Sequence, residues 1–416
     1  MENYSRRFAD ETLLDRLRLS GAVLIQGAKG CGKTETAAQT AKSIIRLDTD
    51  DEIWMRMEID PRSVLAGRTP RLIDEWQEYP QIWNHVRREV DARKKKGQFI
   101  LTGSANPEER ARLHSGAGRF SVIRMRPMSF FEKGWSSGEV SLAKIMKGKA
   151  PKSGQAEFDL ESLVEKITLG GWPGLIGSGG RAALRFVQDY IALVAEVDIS
   201  RFGGKRRDPQ KVKRLLQSLA RNISTEASLS SLAKDCGTGV TVSDETIAEY
   251  LEALERLMVI EQLPAWSPHI RSADTLRKAP KRHFTDPSLA IGTLGLSAGK
   301  ILSDLKYLGL LFESLVIRDL RIYAEVHDGK VYHYRDSRDM EVDVIVEYPD
   351  GTWAAFEVKM GFNAQEEAAK NLLAFAAKID PEKTGPPAAL TVITANGFAC
   401  RRKDGVNVVP LSVLTA

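Results

Sequence analysis

The stretch Ala22-Val-Leu-Ile-Gln-Gly-Ala-Lys-Gly-Cys-Gly-Lys-Thr34 decides the fold of the first part of this 416-residue chain. An apolar strand leads into a Gly-x-x-x-x-Gly-Lys-Thr loop, and a helical stretch comes next. This order is typical of a loop that binds the phosphates of a nucleoside triphosphate. Glycines let the backbone turn so tightly that successive amide groups point inward, and the helix adds its positive N-terminal end. The stretch therefore predicts binding of ATP or GTP, the alternative being an ordinary glycine-rich turn.

The motif also predicts which residues contact the nucleotide. Lys33 is expected to reach the β- and γ-phosphates and to serve catalysis, and the Thr34 hydroxyl is expected to hold Mg²⁺. The loop and the start of the helix supply the remaining contacts. The predicted nucleotide-binding residues are Gly27, Ala28, Lys29, Gly30, Cys31, Gly32, Lys33, Thr34 and Glu35.

Length and composition limit the class of protein. A chain of 416 residues exceeds what one hydrophobic core usually supports, which predicts several domains. No apolar run is long enough to cross a bilayer, and the first residues lack the apolar core of a signal peptide, so we expect no membrane partner. The three cysteines are scattered and form neither a disulfide framework nor a metal motif. These features predict a cytoplasmic protein.

The net charge of +5 is concentrated in three basic runs, at residues 93–96, 205–207 and 278–282. Such runs are usually solvated faces. They give only weak support for a polyanionic partner such as DNA.

A second polar site is predicted at the end of a later strand. Arg71-Leu-Ile-Asp-Glu-Trp-Gln77 is an apolar strand end that closes on two acids. In a parallel sheet this carboxyl end lies beside the phosphate loop. Asp74 is then expected to hold Mg²⁺, and Glu75 to orient and deprotonate the attacking water. The alternative is a surface Asp–Glu pair without a catalytic role.

Two further groups are candidates for sensing or stabilising the γ-phosphate. The strand Gln98-Phe-Ile-Leu-Thr-Gly-Ser104 ends in hydroxyls, which places Thr102 or Ser104 near that phosphate. Arg119 precedes another strand and is a candidate for neutralising transition-state charge, in its own subunit or in a neighbour. The alternatives are a plain hydroxyl at a strand end and an arginine with a structural role.

Together these segments resemble a widespread prokaryotic family of AAA+-type P-loop ATPases. The resemblance is carried by residues 71–77, by residues 99–104, by Gly118-Arg119 and by Pro127-Met-Ser-Phe-Phe-Glu132, in the family's usual order. It implies an α/β fold, in which a parallel-sheet P-loop NTPase domain precedes a helical and winged-helix middle. It implies ATP rather than GTP, since the sequence has no Asn-Lys-x-Asp motif for guanine. We assign residues 1–135 to the ATPase domain.

The middle of the chain begins with a segment of low apolar content. Residues 144–155 are rich in Lys, Gly, Ser and Pro, which predicts an exposed loop or linker. Gly170-Gly-Trp-Pro-Gly174 resembles a turn found in the family, and a long helix is predicted from Gly180 towards Ile199. We assign residues 136–207 to a linker and a helical lid that joins the ATPase domain to the winged-helix segment.

Residues 208–290 predict a winged helix-turn-helix domain. Apolar periodicity predicts three short helices, and residues 259–264 and 281–284 are predicted to pair as the wing. The exposed face of the third helix is acidic, which disfavours contact with phosphates, through Asp244, Glu245, Glu249, Glu252 and Glu255. Basic residues lie instead in the predicted wing, at Arg271, Arg277, Lys278, Lys281 and Arg282. The domain either packs against its neighbours or binds DNA.

Residues 291–416 hold a second cluster of chemical groups. Asp343 stands near a strand start, and Glu357-Val-Lys359 lies on the partner strand of a hairpin, where residues two apart face the same side. Two carboxylates and a lysine suit a metal-dependent phosphodiesterase: Asp343 and Glu357 would bind Mg²⁺ or Mn²⁺, and Lys359 would orient water. Glu313, in a helix predicted over Ser303–Ile322, is a possible third carboxylate. The family resemblance implies a restriction-endonuclease-like fold of the PD-(D/E)xK type here. An inactive nuclease fold and a salt-bridged surface hairpin are the alternatives.

These patterns predict an ATP-hydrolysing protein whose nucleotide state gates a nuclease-like domain acting on DNA. The predicted cofactors are ATP and Mg²⁺, with a second Mg²⁺ or Mn²⁺ at the C-terminal site. The main alternative is an ATP-dependent module or regulator that binds nucleic acid or protein without cutting it. The oligomeric state, and whether Arg119 acts in cis, in trans or not at all, stay open.

Overall fold

The computed structural model describes residues 4–49, 51–104, 115–156, 159–199, 207–237, 242–268, 279–361 and 364–416. Its N-terminal part is a parallel five-stranded sheet in the order β2-β3-β4-β1-β5. The strands are β1 (Ala22–Gly27), β2 (Ser43–Arg46), β3 (Arg71–Asp74), β4 (Phe99–Gly103) and β5 (Phe120–Met125). The predicted α/β class and the predicted parallel sheet are both confirmed.

Five helices connect and flank these strands: α1 (Phe8–Leu19), α2 (Lys33–Thr40), α3 (Asp51–Ile59), α4 (Pro61–Leu65) and α5 (Ile82–Arg93). The central strands β1 and β4 are buried on both faces, as expected for a parallel sheet covered by helices, which explains their continuous apolar runs. Because all five strands run parallel, their carboxyl ends meet at one edge of the sheet. The strand order puts β4 between β1 and β3 at that edge.

The segment that the sequence predicted as an exposed loop or linker is largely as predicted, since most of residues 147–154 are exposed and lie outside helices and strands, but both of its ends are held by short elements. A short helix, α6 (Leu142–Met146), buries three apolar side chains. Two pairs of two-residue strands fix the segment: β6 (Val140–Ser141) with β17 (Leu414–Thr415), and β7 (Gln155–Ala156) with β14 (Gly397–Phe398). Strands of two residues are too short to leave a periodic pattern in the sequence.

The predicted lid consists of α7 (Leu160–Leu169), α8 (Gly180–Leu193) and a π-helical turn, α9 (Val194–Asp198). Helix α8 packs closely on α13 (Ser288–Leu294). A Cβ atom at Gly292 would lie 2.6 Å from Val187 of α8, so this approach requires glycine.

The three helices predicted for the middle of the chain are present as α10 (Pro209–Arg221), α11 (Leu229–Cys236) and α12 (Asp244–Arg256). The predicted pairing of the wing strands is also confirmed, since β8 (Ile260–Leu263) and β9 (Lys281–Phe284) are antiparallel. All four residues of β9 are buried, however.

Two of the basic residues predicted for the wing are therefore not on its surface. Lys281 and Arg282 are buried and hydrogen-bonded within the protein. Arg271, Arg277 and Lys278 lie outside the described residues. The acidic exposed face of α12 is as predicted.

The C-terminal part is built on a mixed six-stranded sheet in the order β10-β11-β12-β13-β16-β15. Its strands are β10 (Lys330–Arg335), β11 (Glu341–Glu347), β12 (Trp353–Val358), β13 (Ala389–Thr394), β15 (Cys400–Arg401) and β16 (Asn407–Pro410). The first three strands pair antiparallel, and β12-β13-β16 are parallel. The helices here are α14 (Ala298–Leu302), α15 (Leu305–Glu325), α16 (Gln365–Lys378) and α17 (Pro381–Thr384).

A single continuous cluster of buried apolar side chains runs through all these parts of the chain. Helix α15 lies inside it and is buried on nearly every face from Leu311 to Ala324. Nowhere in the described parts of the chain does a helix combine the length and the apolar character that a membrane crossing needs.

Candidate functional site

The phosphate loop has the backbone shape that its glycines predict. Gly30 and Gly32 have φ values of 72° and 100°, which side-chain-bearing residues rarely adopt. A Cβ atom at Gly27 would lie 2.1 Å from the carbonyl oxygen of Met125, so only glycine allows β1 to end against β5. Helix α2 begins directly after this loop, at Lys33.

The side chain of Lys33 folds back into the phosphate loop. Its Nζ donates to the carbonyl oxygens of Gly27 at 3.0 Å and of Ala28 at 2.9 Å, and the residue is only 5% exposed. The ammonium group is thus held beside the backbone amides that the motif predicts for phosphate binding. The positive charge of Lys33 and the positive N-terminal end of α2 therefore both lie at the phosphate loop.

Thr34, Asp74 and Thr102 form one hydrogen-bonded group at the carboxyl edge of the sheet. The Thr34 hydroxyl donates to Asp74 Oδ1 at 2.8 Å, and the Thr102 hydroxyl donates to the same oxygen. This contact is possible because β4, which carries Thr102, lies between β1 and β3. A hydroxyl beside a carboxylate fits Mg²⁺, which is usually held by one or two protein oxygens plus the phosphates of its substrate.

Glu75 follows Asp74 in a left-handed backbone conformation with φ of 52°. Such strain in a non-glycine residue concentrates at functional sites. Gln77 donates a hydrogen bond to the Glu75 carboxylate. Burial raises the pKa of Glu75 above its ordinary value, although the Gln77 hydrogen bond and Lys33 oppose the rise. A half-buried carboxylate of raised pKa, adjacent to the predicted metal position, suits a general base.

The two remaining residues predicted for this site, Ser104 and Arg119, lie at opposite edges of the sheet. Ser104 is buried just past the carboxyl end of β4, on the same edge as the phosphate loop. Arg119 is at the opposite edge, because the neighbouring Phe120 pairs with Ala22 at the start of β1. There Arg119 forms an exposed ion pair with Asp91 at 2.9 Å. A cis role for Arg119 is therefore wrong, and a trans role stays a prediction.

Sequence reasoning missed Arg7, which is buried against the back of the phosphate loop. Its guanidinium donates to the carbonyl oxygens of Cys31 at 2.9 Å and of Arg126 at 2.8 Å. Its Nε lies 3.1 Å from the Glu132 carboxylate. Arg7 precedes α1 in a segment without a motif, so no sequence signal marked it.

A cavity of about 250 Å³ opens beside the phosphate loop. It is lined by the N-terminal segment, by the first turns of α2 and by the turn after α7, including Tyr4, Thr36 and Ile176. The Tyr4 hydroxyl donates to Asp10 at 2.7 Å and lies 2.9 Å from the Thr36 hydroxyl, which fixes one wall.

The predicted lid contacts the phosphate loop directly. Lys29, half-exposed within the loop, forms an ion pair with Asp198 of α9 at 2.6 Å. In the turn before α8, Pro173 Cγ would lie 3.3 Å from a Cβ atom at Gly32. No motif in the sequence pointed to Asp198.

The second predicted cluster is also assembled. Lys359 Nζ lies 2.8 Å from Glu357 Oε2 and 3.3 Å from Asp343 Oδ2. The second oxygen of Glu357 accepts from Asn371 of α16 at 2.7 Å, and Asp343 Oδ2 also accepts from the backbone N–H of Val358 at 2.8 Å. The hairpin β11–β12 thus brings the three predicted residues together.

A second lysine, predicted from the sequence to lie in the wing, enters this cluster. Lys281 Nζ lies 3.0 Å from Glu313 Oε1, 2.7 Å from Glu341 Oε1 and 4.0 Å from Asp343 Oδ1. Glu313 comes from α15, as predicted, whereas no sequence pattern pointed to Glu341. Four carboxylates and two ammonium groups therefore share one site.

The pKa values reflect this crowding. Burial and then Asp343 raise the pKa of Glu357 to about 8, and the same two causes raise the pKa of Glu313 to about 7. Burial alone would raise the pKa of Asp343, but Lys359 and Lys281 outweigh it and lower that pKa. Burial would lower the pKa of Lys281, but Glu313 and the other carboxylates raise it.

As arranged, this cluster does not fit a metal ion. Within the described ranges, no group of three or more His, Cys, Asp or Glu side chains is placed to hold one. The carboxylate oxygens are directed at lysine ammonium groups instead.

The segment that carries the first site is similar to a known family. Residues 20–133 match the model of a family described as an AAA domain. Residues 160–300 and 308–414 match two families described as domains of unknown function, DUF8612 and DUF4143. Each match covers less than half of the chain. The first supports ATP binding or hydrolysis by the N-terminal part.

Two curated relatives cover most of the chain. Uncharacterized proteins of Mycobacterium bovis and Mycobacterium tuberculosis are each 26% identical over 358 residues, which is 85% of this chain and 74% of the relative. Among solved structures, a Walker-type ATPase of Pyrococcus abyssi is 13% identical with a TM-score of 0.43, covering 70% of this chain and 97% of that chain. A similarity this low supports no argument about this protein.

Proposed function

We propose that this protein binds and hydrolyses ATP at the edge formed by β1, β4 and β3. The observation that carries the proposal is the shared contact of Thr34 and Thr102 with Asp74, next to a half-buried Glu75 and the buried Lys33. These groups supply a phosphate cradle, oxygen donors for a cation and a candidate base in one place. The AAA-domain match of residues 20–133 supports ATP as the nucleotide.

Each side chain then has a distinct task. Lys33 and the loop amides bind the β- and γ-phosphates, and Thr34 with Asp74 would hold Mg²⁺. That cation, when bound, neutralises charge on the phosphate oxygens. Glu75 takes a proton from the attacking water, and Thr102 or Ser104 reports whether the γ-phosphate is present. We assign the 250 Å³ cavity beside Thr36 to the base and sugar, because it adjoins the first turn of α2.

The nucleotide state is proposed to act on the rest of the chain through the lid and the N-terminal segment. Lys29 of the loop is paired with Asp198, and Arg7 joins the loop carbonyl of Cys31 to that of Arg126. A phosphate that draws Lys29 away from Asp198 would release α9.

Nucleotide binding and hydrolysis test the proposal separately. Lys33→Ala is expected to abolish binding of a fluorescent ATP analogue. Glu75→Gln is expected to bind it normally and to lower kcat by about 10²–10⁴-fold, the usual contribution of a general base. Lys96→Ala, an exposed lysine remote from the loop, serves as the matched control. Normal hydrolysis by Glu75→Gln would contradict the assigned base.

A second candidate function belongs to the C-terminal part, where Asp343, Glu357 and Lys359 converge on one site. This convergence favours a restriction-endonuclease-like domain acting on DNA, in which Asp343 and Glu357 would bind Mg²⁺ or Mn²⁺ only once the ammonium groups that now pair with them have moved away. Plasmid and single-stranded DNA, incubated with each metal and with or without ATP, test it. Cleavage that is lost in Glu357→Ala would support a nuclease. Intact DNA together with normal ATPase activity would favour a module that binds without cutting.

A further inference from the structure

The hairpin β8–β9 physically connects the two charged sites. On β8, the buried carboxylate of Glu261 lies 3.0 Å from Arg126 and 3.0 Å from Arg124, both at the end of β5 in the ATPase sheet. On β9, Lys281 extends into the C-terminal cluster. One two-stranded element thus contacts the nucleotide-binding sheet with one strand and the carboxylates with the other.

The backbone fixes where Lys281 lies. Just after β8, the N–H of Trp266 donates to the carbonyl oxygen of His333 at 2.6 Å, and the N–H of His333 donates to that of Pro264 at 3.0 Å. An isolated bridge between Ala265 and His333 thus joins the end of β8 to β10. Lys281 pairs with Leu263 of β8 within the hairpin, and its side chain is only 4% exposed.

Lys281 occupies the space that a cation bound to the cluster would need. Its ammonium group is within hydrogen-bond distance of Glu313 and Glu341, and it lies 4.0 Å from the oxygen of Asp343 that Lys359 does not contact. The other oxygen of Asp343 already accepts from Lys359. Every carboxylate in the cluster thus has a lysine as its cationic partner.

We propose that Lys281 is an internal substitute for a divalent cation, so that the docked hairpin keeps metal out of the Asp343 cluster. Mg²⁺ requires oxygen ligands at about 2.0–2.1 Å on all sides, and an ammonium group among the same carboxylates removes that space. The two cations would also repel each other strongly in so buried a site. Metal binding and docking of Lys281 are therefore alternatives. The exclusion of metal by Lys281 does not depend on the second candidate function. Only the chemistry that a bound metal would support depends on it.

Mn²⁺ binding to the full-length, nucleotide-free protein tests this, with free Mn²⁺ followed by electron paramagnetic resonance. Lys281→Met is expected to bind one Mn²⁺ about tenfold or more tightly than the wild type, because the competing charge is gone. The gain is expected to disappear in Lys281→Met combined with Asp343→Asn. Equal affinity of wild type and Lys281→Met, or a gain that survives Asp343→Asn, would overturn the proposal.

Arg282→Met is the matched control on the same strand. Arg282 donates to the carbonyl oxygen of Ala227 and does not reach the cluster, so its loss is expected to leave Mn²⁺ affinity unchanged. An equal gain in this variant would show general loosening of the hairpin and would count against Lys281. Thermal unfolding monitors folding, and Lys281→Gln replaces Lys281→Met if the latter does not fold. ATP hydrolysis of the same samples reports on the phosphate loop separately.

Discussion

At the scale of single residues, Glu75 combines a left-handed backbone conformation with a partly buried carboxylate directly after Asp74. A non-glycine residue at a φ of 52° costs of order 1–3 kcal/mol, and it persists only where the surroundings enforce it. Here β3 ends at Asp74 and a short turn of 3₁₀ helix begins at Trp76. The strained residue between them carries its carboxylate toward the phosphate-loop edge.

The pH dependence of ATP hydrolysis follows from Glu75. A general base must be ionised, and burial raises its pKa above the ordinary value of about 4.3. The acidic limb of kcat is therefore expected at a higher pH than an exposed glutamate would give, with activity lost as the pH falls through it. A profile of kcat against pH measures this limb, and circular dichroism at each pH confirms folding. Persistence of the same limb in the residual activity of Glu75→Gln would refute the assignment.

For Arg119, also a single residue, we predict that its removal has no effect on hydrolysis within one subunit. Its side chain is 44% exposed and pairs with Asp91 at the far edge of the sheet. Arg119→Ala is expected to leave hydrolysis at low protein concentration unchanged, and to alter the free energy of unfolding by no more than about 1 kcal/mol. Steady-state kinetics and urea unfolding measure the two quantities. A defect that appears only at high protein concentration would indicate a role in a neighbouring subunit, and a concentration-independent defect would contradict the geometry.

At the scale of elements, α15 is a single helix that contacts three parts of the chain. Its acid Asp319 accepts from the backbone N–H of Phe130 at 2.8 Å, and Arg321 pairs with Glu261 of β8. Its Glu313 belongs to the C-terminal cluster. A helix buried on nearly all faces has little amphipathic pattern, so the sequence predicted its existence but not its central position.

The burial of α15 predicts a large cost for a cavity within it. Leu315 is 1% exposed, and Leu315→Ala is expected to lower the free energy of unfolding by about 2–5 kcal/mol. Leu305, at the start of the same helix, is 53% exposed, so Leu305→Ala is the matched control with an effect within about 0.5 kcal/mol. Urea unfolding of the two variants measures the difference. Similar losses in both would contradict the central position of α15.

At the scale of the whole molecule, buried ion pairs hold the ATPase sheet, the wing hairpin and α15 together. Glu261 accepts from Arg126 and Arg321 and is also paired with Arg124. Burial would raise the pKa of Glu261, but these three arginines outweigh it and lower the pKa far below its ordinary value. The arginines thus favour the ionised form of this carboxylate.

Removing this carboxylate should destabilise all three parts at once. Glu261→Gln leaves buried guanidinium groups without their partner, and we expect a loss of about 3–5 kcal/mol in the free energy of unfolding. Glu325 is the control, because it also pairs with Arg126 but is 42% exposed, so Glu325→Gln should cost no more than about 1 kcal/mol. Chemical denaturation measures both. A loss of less than about 1 kcal/mol in Glu261→Gln would show that the network does not join the parts.

The sequence by itself determined the local chemistry. The phosphate loop, the acids of residues 74–75, the hydroxyls at the end of β4 and the pair of Glu357 and Lys359 are each set within a few consecutive residues. Such sites can be predicted from the sequence because strands, loops and helices impose fixed spacings on the side chains that they carry.

Only the tertiary structure decided which of these groups meet. It placed Arg119 at the wrong edge of the sheet for its own phosphate loop, paired the short strands on either side of the predicted linker with strands near the C-terminal end, and buried strand β9 of the predicted wing. It also brought Arg7 to the phosphate loop and Lys281 to carboxylates from 32 to 62 positions away along the chain. Long-range contacts of this kind depend on how complete elements pack and on the pairing of buried charges. Neither leaves a periodic signal in a single sequence.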